Sequence, residues 1–292
     1  MQEYLKLLRV QSWVKNLLLL IPAVFSFNLF NPNIYLPLFA AILSFSIMSS
    51  TVYIINDRID MDKDRLHPRK KLRPLASGKI SPNKALILAV FLFIVSVFIG
   101  LFFLPSSFLI VLSAYLSLNV FYVLQLKHIP VLDAFCIASG FVLRVLAGCY
   151  AIEVLPSDWI IVVTFFLALF LAFSKRRSEL RMLDEQAVLH REVLKGYTLK
   201  MLDVFIYLSA GICITSYIIY TITNTSIPEH LHQPLKYSSF LVTFGVFRYI
   251  QVTEHNKNID ADPTVMLYSD RYLQATVIIW FVYVTATLYA NS

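Results

Sequence analysis

The chain has 292 residues, of which 58% are hydrophobic and only 15% are Asp, Glu, Lys or Arg, and its formal net charge is +7. Soluble globular domains usually carry about 25% charged residues, so this composition excludes an ordinary soluble protein. With only seven glycines, the chain has no glycine-rich phosphate loop. Any phosphate site must therefore use side chains or a metal ion.

Successive apolar stretches of roughly 17 to 22 residues match the length that an α-helix needs to cross a bilayer. The sequence therefore predicts an all-α fold, a polytopic membrane bundle of nine transmembrane helices in a single domain that covers residues 1–292. The predicted spans lie near 17–31, 34–55, 85–104, 107–126, 131–152, 158–174, 202–223, 237–254 and 272–290.

Lysine and arginine concentrate in two predicted loops, near 56–84 and 175–200, whereas the connections between the other spans are nearly free of them. By the positive-inside rule, this distribution places both loops and the N-terminus in the cytosol and the C-terminus outside. It predicts a multi-pass protein of the cell or inner membrane whose basic face contacts anionic membrane lipids. Nothing in the pattern indicates a nucleic-acid partner or defines an oligomeric state.

The first charged loop begins with NDRIDMDKDR, in which Asp57, Asp60 and Asp64 are spaced i, i+3 and i+7. On a helix that continues out of the second span, these carboxylates share one face, with Asn56 beside them. Crowded carboxylates repel one another unless a cation lies between them. Mg²⁺ prefers oxygen ligands and completes its shell with substrate phosphate oxygens, so these four residues predict a metal–diphosphate site.

Basic residues follow the acidic motif and would bind the phosphate charge that the metal leaves over. Those predicted to bind substrate are Arg65, Lys70 and Arg73. The alternative interpretation is a solvated loop of mixed charge, but such a loop need not place its acids on one stripe directly after a membrane helix.

This stretch resembles the first signature of the UbiA superfamily of membrane prenyltransferases, NDxxDxxxDR followed by a proline and RPLASG. The resemblance covers essentially the whole chain and implies the family's nine-helix fold and Mg²⁺ as cofactor. In the wider family a second, DxxxD motif follows the sixth helix and binds another Mg²⁺. Here the corresponding stretch is SKRRSELRMLDE, with four cations around a single nearby carboxylate. The cations are Lys175, Arg176, Arg177 and Arg181, and the carboxylate is Glu179.

A basic cluster in place of a second acidic one is similar to the branch of the superfamily whose donor is phosphoribosyl diphosphate and whose acceptor is a polyprenyl phosphate. The stretches LRVQSWVKN, LDAFCIASGFVLRVLAG and DPTVMLYSDR also resemble that branch. The resemblance implies that the aspartates hold Mg²⁺ on the departing diphosphate. Lys175, Arg176 and Glu179 are expected to be catalytic, with Arg177 binding a phosphate.

Two further cations are expected to bind substrate. Arg144 lies within the apolar stretch FCIASGFVLRVLAGCYAI, where an unpaired guanidinium costs roughly 2.5 to 3.5 kcal/mol. It must therefore point into the bundle, either to Asp133 or to a substrate phosphate. Lys15, followed by Asn16, lies where the first helix leaves the cytosol, and either reaches the same cavity or acts as an interfacial anchor.

The predicted function is Mg²⁺-dependent transfer of a 5-phosphoribosyl group from phosphoribosyl diphosphate to a polyprenyl phosphate lipid, with release of diphosphate. One alternative is an isoprenyl-diphosphate-dependent prenyltransferase that acts on an aromatic or other small acceptor. It has the same fold but requires a second acidic cluster. The other alternative is a non-catalytic membrane transporter or lipid-binding protein, although such proteins tend to bury their carboxylates in mid-membrane.

Overall fold

The computed structural model describes residues 2–66, 70–183, 192–223, 227–255 and 263–290. Within these ranges the regular structure is helical, without strands, which confirms the predicted all-α class. Parts of the two charged loops, at 67–69 and 184–191, lie outside the described residues. The α-helices are α1 (Gln2–Leu8), α2 (Ile21–Phe25), α3 (Tyr35–Ile59), α4 (Met61–Leu66), α5 (Pro82–Phe103), α6 (Ser106–Leu124), α7 (Leu132–Ala151), α8 (Asp158–Leu183), α9 (Leu199–Thr223), α10 (Glu229–Leu235), α11 (Ser238–His255), α12 (Pro263–Ser269) and α13 (Arg271–Tyr289).

Short 3₁₀ helices connect several of these elements, and one, at Val10–Leu20, is 11 residues long. By length and composition, seven helices in the described part of the chain can cross a membrane: α3 with the 3₁₀ turn before it, α5, α6, α7, α8, α9 and α13. An eighth candidate is the pair formed by α1 and the segment Val10–Phe25, which is bent by 43°. The chain is therefore an integral membrane protein, and the count of nine spans stays a prediction.

The first predicted span has different bounds from those expected. Instead of one helix over 17–31, the chain forms the bent pair and leaves helical structure after Phe25. Phe27 has a φ of 59°, and the backbone N–H of Asn28 donates to the carbonyl of Ala23 at 3.1 Å, which closes a turn. A run of apolar residues indicates which part of the chain lies in the membrane, but it does not indicate where the backbone turns within that run.

The chain divides into two compact units. Unit 1 comprises Met1–Ala23, Asn28–Lys127 and Leu143–Leu155. Its central contact is between α3 and α5, where Ser44 Oγ donates to the carbonyl of Ser96 at 2.9 Å and Ser96 Oγ returns a bond of 2.7 Å to the carbonyl of Ser44. Small side chains allow two membrane helices to approach closely, and their hydroxyls hold the helices together.

The outward face of α5 is apolar, as expected for a helix in contact with lipid. Ile87, Phe91 and Phe102 are each at least 60% exposed, whereas the polar Ser96 on the same helix is fully buried. A soluble protein would show the opposite pattern. The distribution of side chains therefore agrees with the membrane spans that length and composition indicate.

Unit 2 comprises Val24–Phe27, His128–Val142 and Pro156–Ser292, and α8 packs against α9 while α11 packs against α13. Arg248, within the predicted eighth span, donates through Nη2 to Asp270 Oδ2 at 2.6 Å. Asp270 also caps α13, because its Oδ1 accepts the backbone N–H of Leu273 at 2.8 Å. These bonds, first of all that from Arg248, hold the pKa of Asp270 below its ordinary value.

Candidate functional site

Two buried aspartates of unit 1 share one arginine. Asp57 lies on the last turn of α3 and Asp64 on α4, and their side chains are 3% and 5% exposed. Arg73 Nη1 donates to Asp57 Oδ1 at 3.0 Å and to Asp64 Oδ2 at 2.6 Å. Carboxylates buried this deeply require a compensating cation. In this structure the guanidinium of Arg73 supplies it.

Two further cations contact the aspartates of the motif. Asp57 Oδ1 also accepts from Arg9 Nη2 at 2.5 Å, and Asp60 Oδ1 accepts from Lys127 Nζ at 2.6 Å. Arg9 adopts a left-handed backbone conformation, with φ 51° and ψ 47°, which is uncommon for a residue other than glycine. The three aspartates of the motif therefore have three cationic partners within unit 1.

The aspartates were predicted to share one face of an uninterrupted helix, but α3 ends at Ile59 and α4 begins at Met61. The backbone N–H groups of Asp60 and Asp64 still bond to carbonyls four residues earlier, at 2.9 and 2.8 Å. Helical spacing therefore persists through the break. Asp57 and Asp64 converge on one arginine, whereas Asp60 pairs separately with a lysine.

The donor set of this site suits a divalent cation. In the part of the chain that the structure describes, no three His, Cys, Asp or Glu side chains are gathered as a metal-binding group. Oxygens of Asp57 and Asp64 nevertheless both contact a single guanidinium nitrogen, so one cation reaches both carboxylates. Carboxylate oxygens are the ligands that Mg²⁺ prefers. The residues fit a metal ion if Arg73 gives up its place between them.

Arg65 is not brought to the buried aspartates. Its Nη1 donates to Asp62 Oδ1 at 2.9 Å, and the two side chains are 51% and 81% exposed. Lys70, in a short 3₁₀ helix, and Asn56, on the last turns of α3, are half-buried. Arg73 is the cation of this loop that the structure shows in contact with both Asp57 and Asp64.

Arg144 is 6% exposed on α7 of unit 1. Its Nε donates to Asn16 Oδ1 at 2.9 Å and its Nη2 to the Tyr115 hydroxyl at 3.1 Å. The expected alternative pairing with Asp133 is wrong, since that carboxylate bonds to Arg176 and Tyr197. Eleven residues of α-helix correspond to about 16 Å of axial rise, which is beyond the reach of the two side chains.

Several cations of unit 1 lie near Tyr53, on α3. Arg9, Lys15 and Arg144 all lie close enough to act electrostatically on its hydroxyl. The guanidinium of Arg9 also stacks on the Tyr53 ring, 4.8 Å from its centroid, which is a favourable cation–π contact. Several positive charges near one half-buried tyrosine are an arrangement suited to an anion.

In unit 2, Arg176 is held by two carboxylates. Its side chain is 1% exposed, and Nε donates to Asp133 Oδ2 at 2.7 Å while Nη1 donates to Glu179 Oε2 at 3.0 Å. Asp133 and Glu179 together fix the orientation of this guanidinium. Asp133 itself is fully buried and accepts a second bond, from the Tyr197 hydroxyl at 2.7 Å. Burial, and then this bond, raise the pKa of Tyr197 and keep it a neutral donor.

The loop before α7 is hydrogen-bonded to Tyr197. Val131 has a φ of 69°, a strained conformation for a β-branched residue, and its N–H donates to the Tyr197 hydroxyl at 2.5 Å. A Cβ added to Gly196 would lie only 2.2 Å from Pro130 Cγ, so glycine is needed for the close approach of these two segments. This loop and its tyrosine together fix Asp133, and through Asp133 the guanidinium of Arg176.

Arg177 lies on another face of α8 and contacts Asp203 of α9 and Glu254 of α11. Arg181, one turn later, donates to the same Glu254 at 2.8 Å. The sequence showed a single carboxylate near this basic cluster, and the structure adds three that are distant in the chain. The region is therefore not an open basic surface, and the phosphate-binding role of Arg177 stays a prediction.

Comparison with known proteins agrees with this geometry. The model of the UbiA prenyltransferase family matches residues 19–270. The chain belongs to this family. It is 29% identical to a decaprenyl-phosphate phosphoribosyltransferase of Mycolicibacterium smegmatis, over 98% of this chain and 92% of the relative. It is also 29% identical to the protein of the same name from Corynebacterium glutamicum, over 98% of this chain and 86% of that one.

Solved structures show that the fold of this UbiA family member is shared. A UbiA homologue of Archaeoglobus fulgidus, bound to DMAPP and Mg²⁺, aligns with a TM-score of 0.74 and 20% identity, over 98% of this chain and 99% of that one. A digeranylgeranylglyceryl phosphate synthase structure aligns with a TM-score of 0.67 and 17% identity, over 98% of both chains. The resemblance predicted from the acidic motif is thereby confirmed.

Sequence reasoning missed Arg9 and Lys127 as partners of the acidic motif. For Arg9 there was a signal, because it stands in the stretch LRVQSWVKN, which already resembled the family. Lys127 is a single lysine after α6, 67 residues from its partner Asp60. No local pattern indicates such a pairing.

Proposed function

We propose that this UbiA family member transfers a 5-phosphoribosyl group from phosphoribosyl diphosphate to a polyprenyl phosphate, with release of diphosphate and with Mg²⁺ as cofactor. The observation that carries the proposal is the near full-length similarity to relatives named decaprenyl-phosphate phosphoribosyltransferase. The buried aspartate pair around one exchangeable cation supports it. Such a pair suits a metal-bound diphosphate better than it suits a lipid tail or a neutral solute.

The acidic motif is proposed to hold the diphosphate end of the donor through the metal, with ligands from Asn56, Asp57, Asp60 and Asp64. When bound, the metal would supply Lewis-acid stabilisation of the leaving diphosphate. Arg73, released from the two aspartates, stays on the same loop and would bind diphosphate oxygens. Arg65 and Lys70 are proposed to add positive charge at the margin of the site.

A second phosphate group needs cations that are not used by the acidic motif. Lys15 and Arg144 of unit 1 are proposed to bind the 5-phosphate of the donor or the phosphate of the lipid. In unit 2 we propose the same chemistry for Lys175 and Arg176, with Glu179 orienting the guanidinium, and for Arg177. Arg176 and Arg177 also contact carboxylates, which hold their guanidinium groups in place.

The reaction itself needs little acid–base chemistry. The bond between the anomeric carbon and the diphosphate oxygen breaks as an oxygen of the lipid phosphate forms the new bond to that carbon. A phosphate monoester is anionic at neutral pH, so no residue has to remove a proton from it. Buried cations stabilise the charge that moves onto the leaving group. We place the site on the cytosolic side of the cell or inner membrane, with the N-terminus inside and the C-terminus outside, because the charged loops lie on that side by the positive-inside rule.

The proposal is tested with purified protein, Mg²⁺, labelled phosphoribosyl diphosphate and a polyprenyl phosphate. The expected product is a lipid that carries the label and disappears when EDTA replaces Mg²⁺. Asp64→Asn is expected to abolish transfer, and Asp62→Asn, on the exposed neighbour, to retain it. Transfer of an isoprenyl group to an aromatic acid, with no labelled lipid, would show that the protein is instead an ordinary prenyltransferase of the same fold.

A further inference from the structure

One cation of the acidic motif comes from the N-terminal segment of unit 1, where the backbone fixes its position. Arg9 lies between α1 and the 3₁₀ helix Val10–Leu20, in a left-handed conformation with φ 51° and ψ 47°. Its N–H donates to the carbonyl of Lys6 at 3.2 Å, and its carbonyl accepts the N–H of Ser12 at 2.7 Å. Backbone bonds on both sides of Arg9 therefore hold this turn and set the direction in which the side chain leaves it.

The turn is attached to α3 by a serine. Ser50 Oγ, on α3, donates to the carbonyl of Leu8 at 2.8 Å and accepts from Trp13 Nε1 at 3.0 Å. Leu8 directly precedes Arg9, and Trp13 follows it on the 3₁₀ helix, so α3 holds the segment on both sides of the arginine. Leu7 is also fully buried. The backbone of Arg9 is therefore fixed relative to α3.

The guanidinium of Arg9 reaches the acidic motif across a tyrosine ring. It stacks on Tyr53, 4.8 Å from the ring centroid, and Nη2 donates to Asp57 Oδ1 at 2.5 Å. Tyr53 and Asp57 are four residues apart on α3 and share a face of the helix. The aromatic ring and the carboxylate together hold the guanidinium in one place. Because the side chain of Arg9 is 26% exposed, an anion that enters the site can still reach it.

Arg9 and Arg73 contact the aspartate pair in different ways. One nitrogen of Arg73 bonds to both Asp57 and Asp64, and the shorter of its two contacts, 2.6 Å, is with Asp64. A metal ion that binds both carboxylates must take that place. Arg9 contacts the pair at Asp57 and is held by the tyrosine and by its own turn. Arg9 is therefore the cation that remains beside Asp57 when Arg73 gives way.

A fixed cation beside a metal ligand acts in opposite directions on the two ligands of the site. It repels a divalent ion at Asp57, and it attracts the negative charge of a diphosphate. Both effects persist in a partly buried site, where salt screens charges less than it does at the surface. A cation that stays in place therefore favours the metal together with diphosphate over the metal alone.

We propose that Arg9 determines the form in which the metal is bound. It weakens binding of the bare divalent ion at Asp57 and Asp64 and strengthens binding of diphosphate with the metal, so that metal and diphosphate enter the site together. The inference rests on the proposed function, in which the acidic motif holds a metal-bound diphosphate. It goes beyond that function by assigning a residue of the N-terminal segment to the site and by stating which form of the metal the site selects.

The test compares uncharged and charged replacements of Arg9 in the purified protein. Arg9→Gln and Arg9→Met both remove the charge, and the methionine retains a favourable contact with the Tyr53 ring, so either variant serves if the other does not fold. Arg9→Lys keeps the charge. Lys6→Gln is the matched control, because it removes a charge from the same segment, where Lys6 is 60% exposed and pairs with Glu3 at 3.0 Å.

Two dissociation constants are measured for each variant whose thermal unfolding shows that it is folded. The first is that of Mn²⁺ alone, followed by the electron paramagnetic resonance signal of the free ion; Mn²⁺ replaces Mg²⁺ because it prefers the same oxygen ligands. The second is that of inorganic diphosphate in saturating Mn²⁺, followed by the rise in unfolding temperature. Phosphoribosyl transfer by the wild type is measured separately.

The uncharged variants are expected to bind Mn²⁺ alone about tenfold more tightly than the wild type and diphosphate about tenfold more weakly. Arg9→Lys and Lys6→Gln should keep the wild-type values. A merely structural role of Arg9 would weaken both kinds of binding, so weaker or unchanged binding of Mn²⁺ in the uncharged variants would overturn the inference even where the wild type transfers phosphoribosyl groups. Opposite changes in a protein without phosphoribosyl transfer would uphold the role of Arg9 and overturn the proposed reaction.

Discussion

Replacing Arg73 with glutamine removes the cation that Asp57 and Asp64 share. Asp57 keeps its contact with Arg9, but the structure shows Arg73 as the ion-pair partner of Asp64, whose side chain is 5% exposed. Breaking a buried ion pair by deleting one partner costs roughly 3 to 5 kcal/mol. Since Arg73 is itself 25% exposed, water relieves part of this cost, and we expect a loss at the lower end, about 3 kcal/mol.

The assay is thermal unfolding of the detergent-solubilised protein in EDTA and in Mg²⁺, followed by a thiol-reactive dye. Cys136, Cys149 and Cys213 are buried, so the dye reports their exposure on unfolding. Arg73→Gln should unfold at a lower temperature than the wild type in EDTA and recover much of the difference in Mg²⁺, because a bound cation replaces the guanidinium. Arg65→Gln is the matched control on the same loop.

The control pair is exposed and is worth at most about 1 kcal/mol, so Arg65→Gln should show neither the loss nor a larger metal response. Wild-type stability of Arg73→Gln in EDTA would refute the view that this guanidinium compensates the buried carboxylates. A metal response no larger than that of the wild type would refute the view that the metal takes the place of Arg73.

Four other substitutions, one of them a control, probe unit 2. In the same unfolding assay, Gly196→Ala forces a methyl group against a proline ring and should destabilise the protein by about 1 to 3 kcal/mol. Gly211→Ala is its control, because an added Cβ there would meet no atom within 4 Å. This control should be neutral or stabilise the protein by up to about 1 kcal/mol. Asp133→Asn should lower stability by about 3 kcal/mol or more, because its arginine partner is buried, and an unchanged unfolding temperature would contradict the assignment. Arg248 holds the pKa of Asp270 below its ordinary value of 3.8, so the ion pair should stabilise the folded protein fully at neutral pH and lose this effect only as the pH falls below 3.8. Asp270→Asn should therefore unfold more easily than the wild type at pH 7 and equally easily in strong acid. Equal unfolding of the two proteins at pH 7 would contradict the argument.

The acidic motif was predictable because its information is local. Asp57 and Asp64 lie seven residues apart, and helical spacing alone brings them to one face. The cations that complete the motif come from elsewhere: Arg9 is 48 residues from Asp57 and Lys127 is 67 residues from Asp60. Pairings of that kind depend on which helices pack together, and a single sequence does not encode them as a pattern.

The backbone conformation of the N-terminal segment was likewise not predictable from local sequence. Its apolar run predicted an ordinary membrane α-helix. Because 3₁₀ helices have no characteristic amino-acid composition, the sequence did not indicate one. The conformation is supported by tertiary bonds such as Trp13 Nε1 to Ser50 Oγ at 3.0 Å and by those of Asn16. The sequence did draw attention to Lys15 and Asn16, but the partner of Asn16, Arg144, lies 128 residues away.

Burial distinguishes the two arginine–carboxylate clusters and decides which of them can exchange its cation. Arg73 is 25% exposed on a loop, so its guanidinium can leave Asp57 and Asp64 without disturbing a helix. Arg176 is 1% exposed on α8, and its partner Asp133 is fixed by a second buried bond from Tyr197. Removing that guanidinium would leave a fully buried carboxylate uncompensated, at a cost of several kcal/mol. A metal ion can therefore replace the guanidinium of the first cluster more easily than that of the second, which supports the proposed metal site in the acidic motif and leaves Arg176 held in place by Asp133.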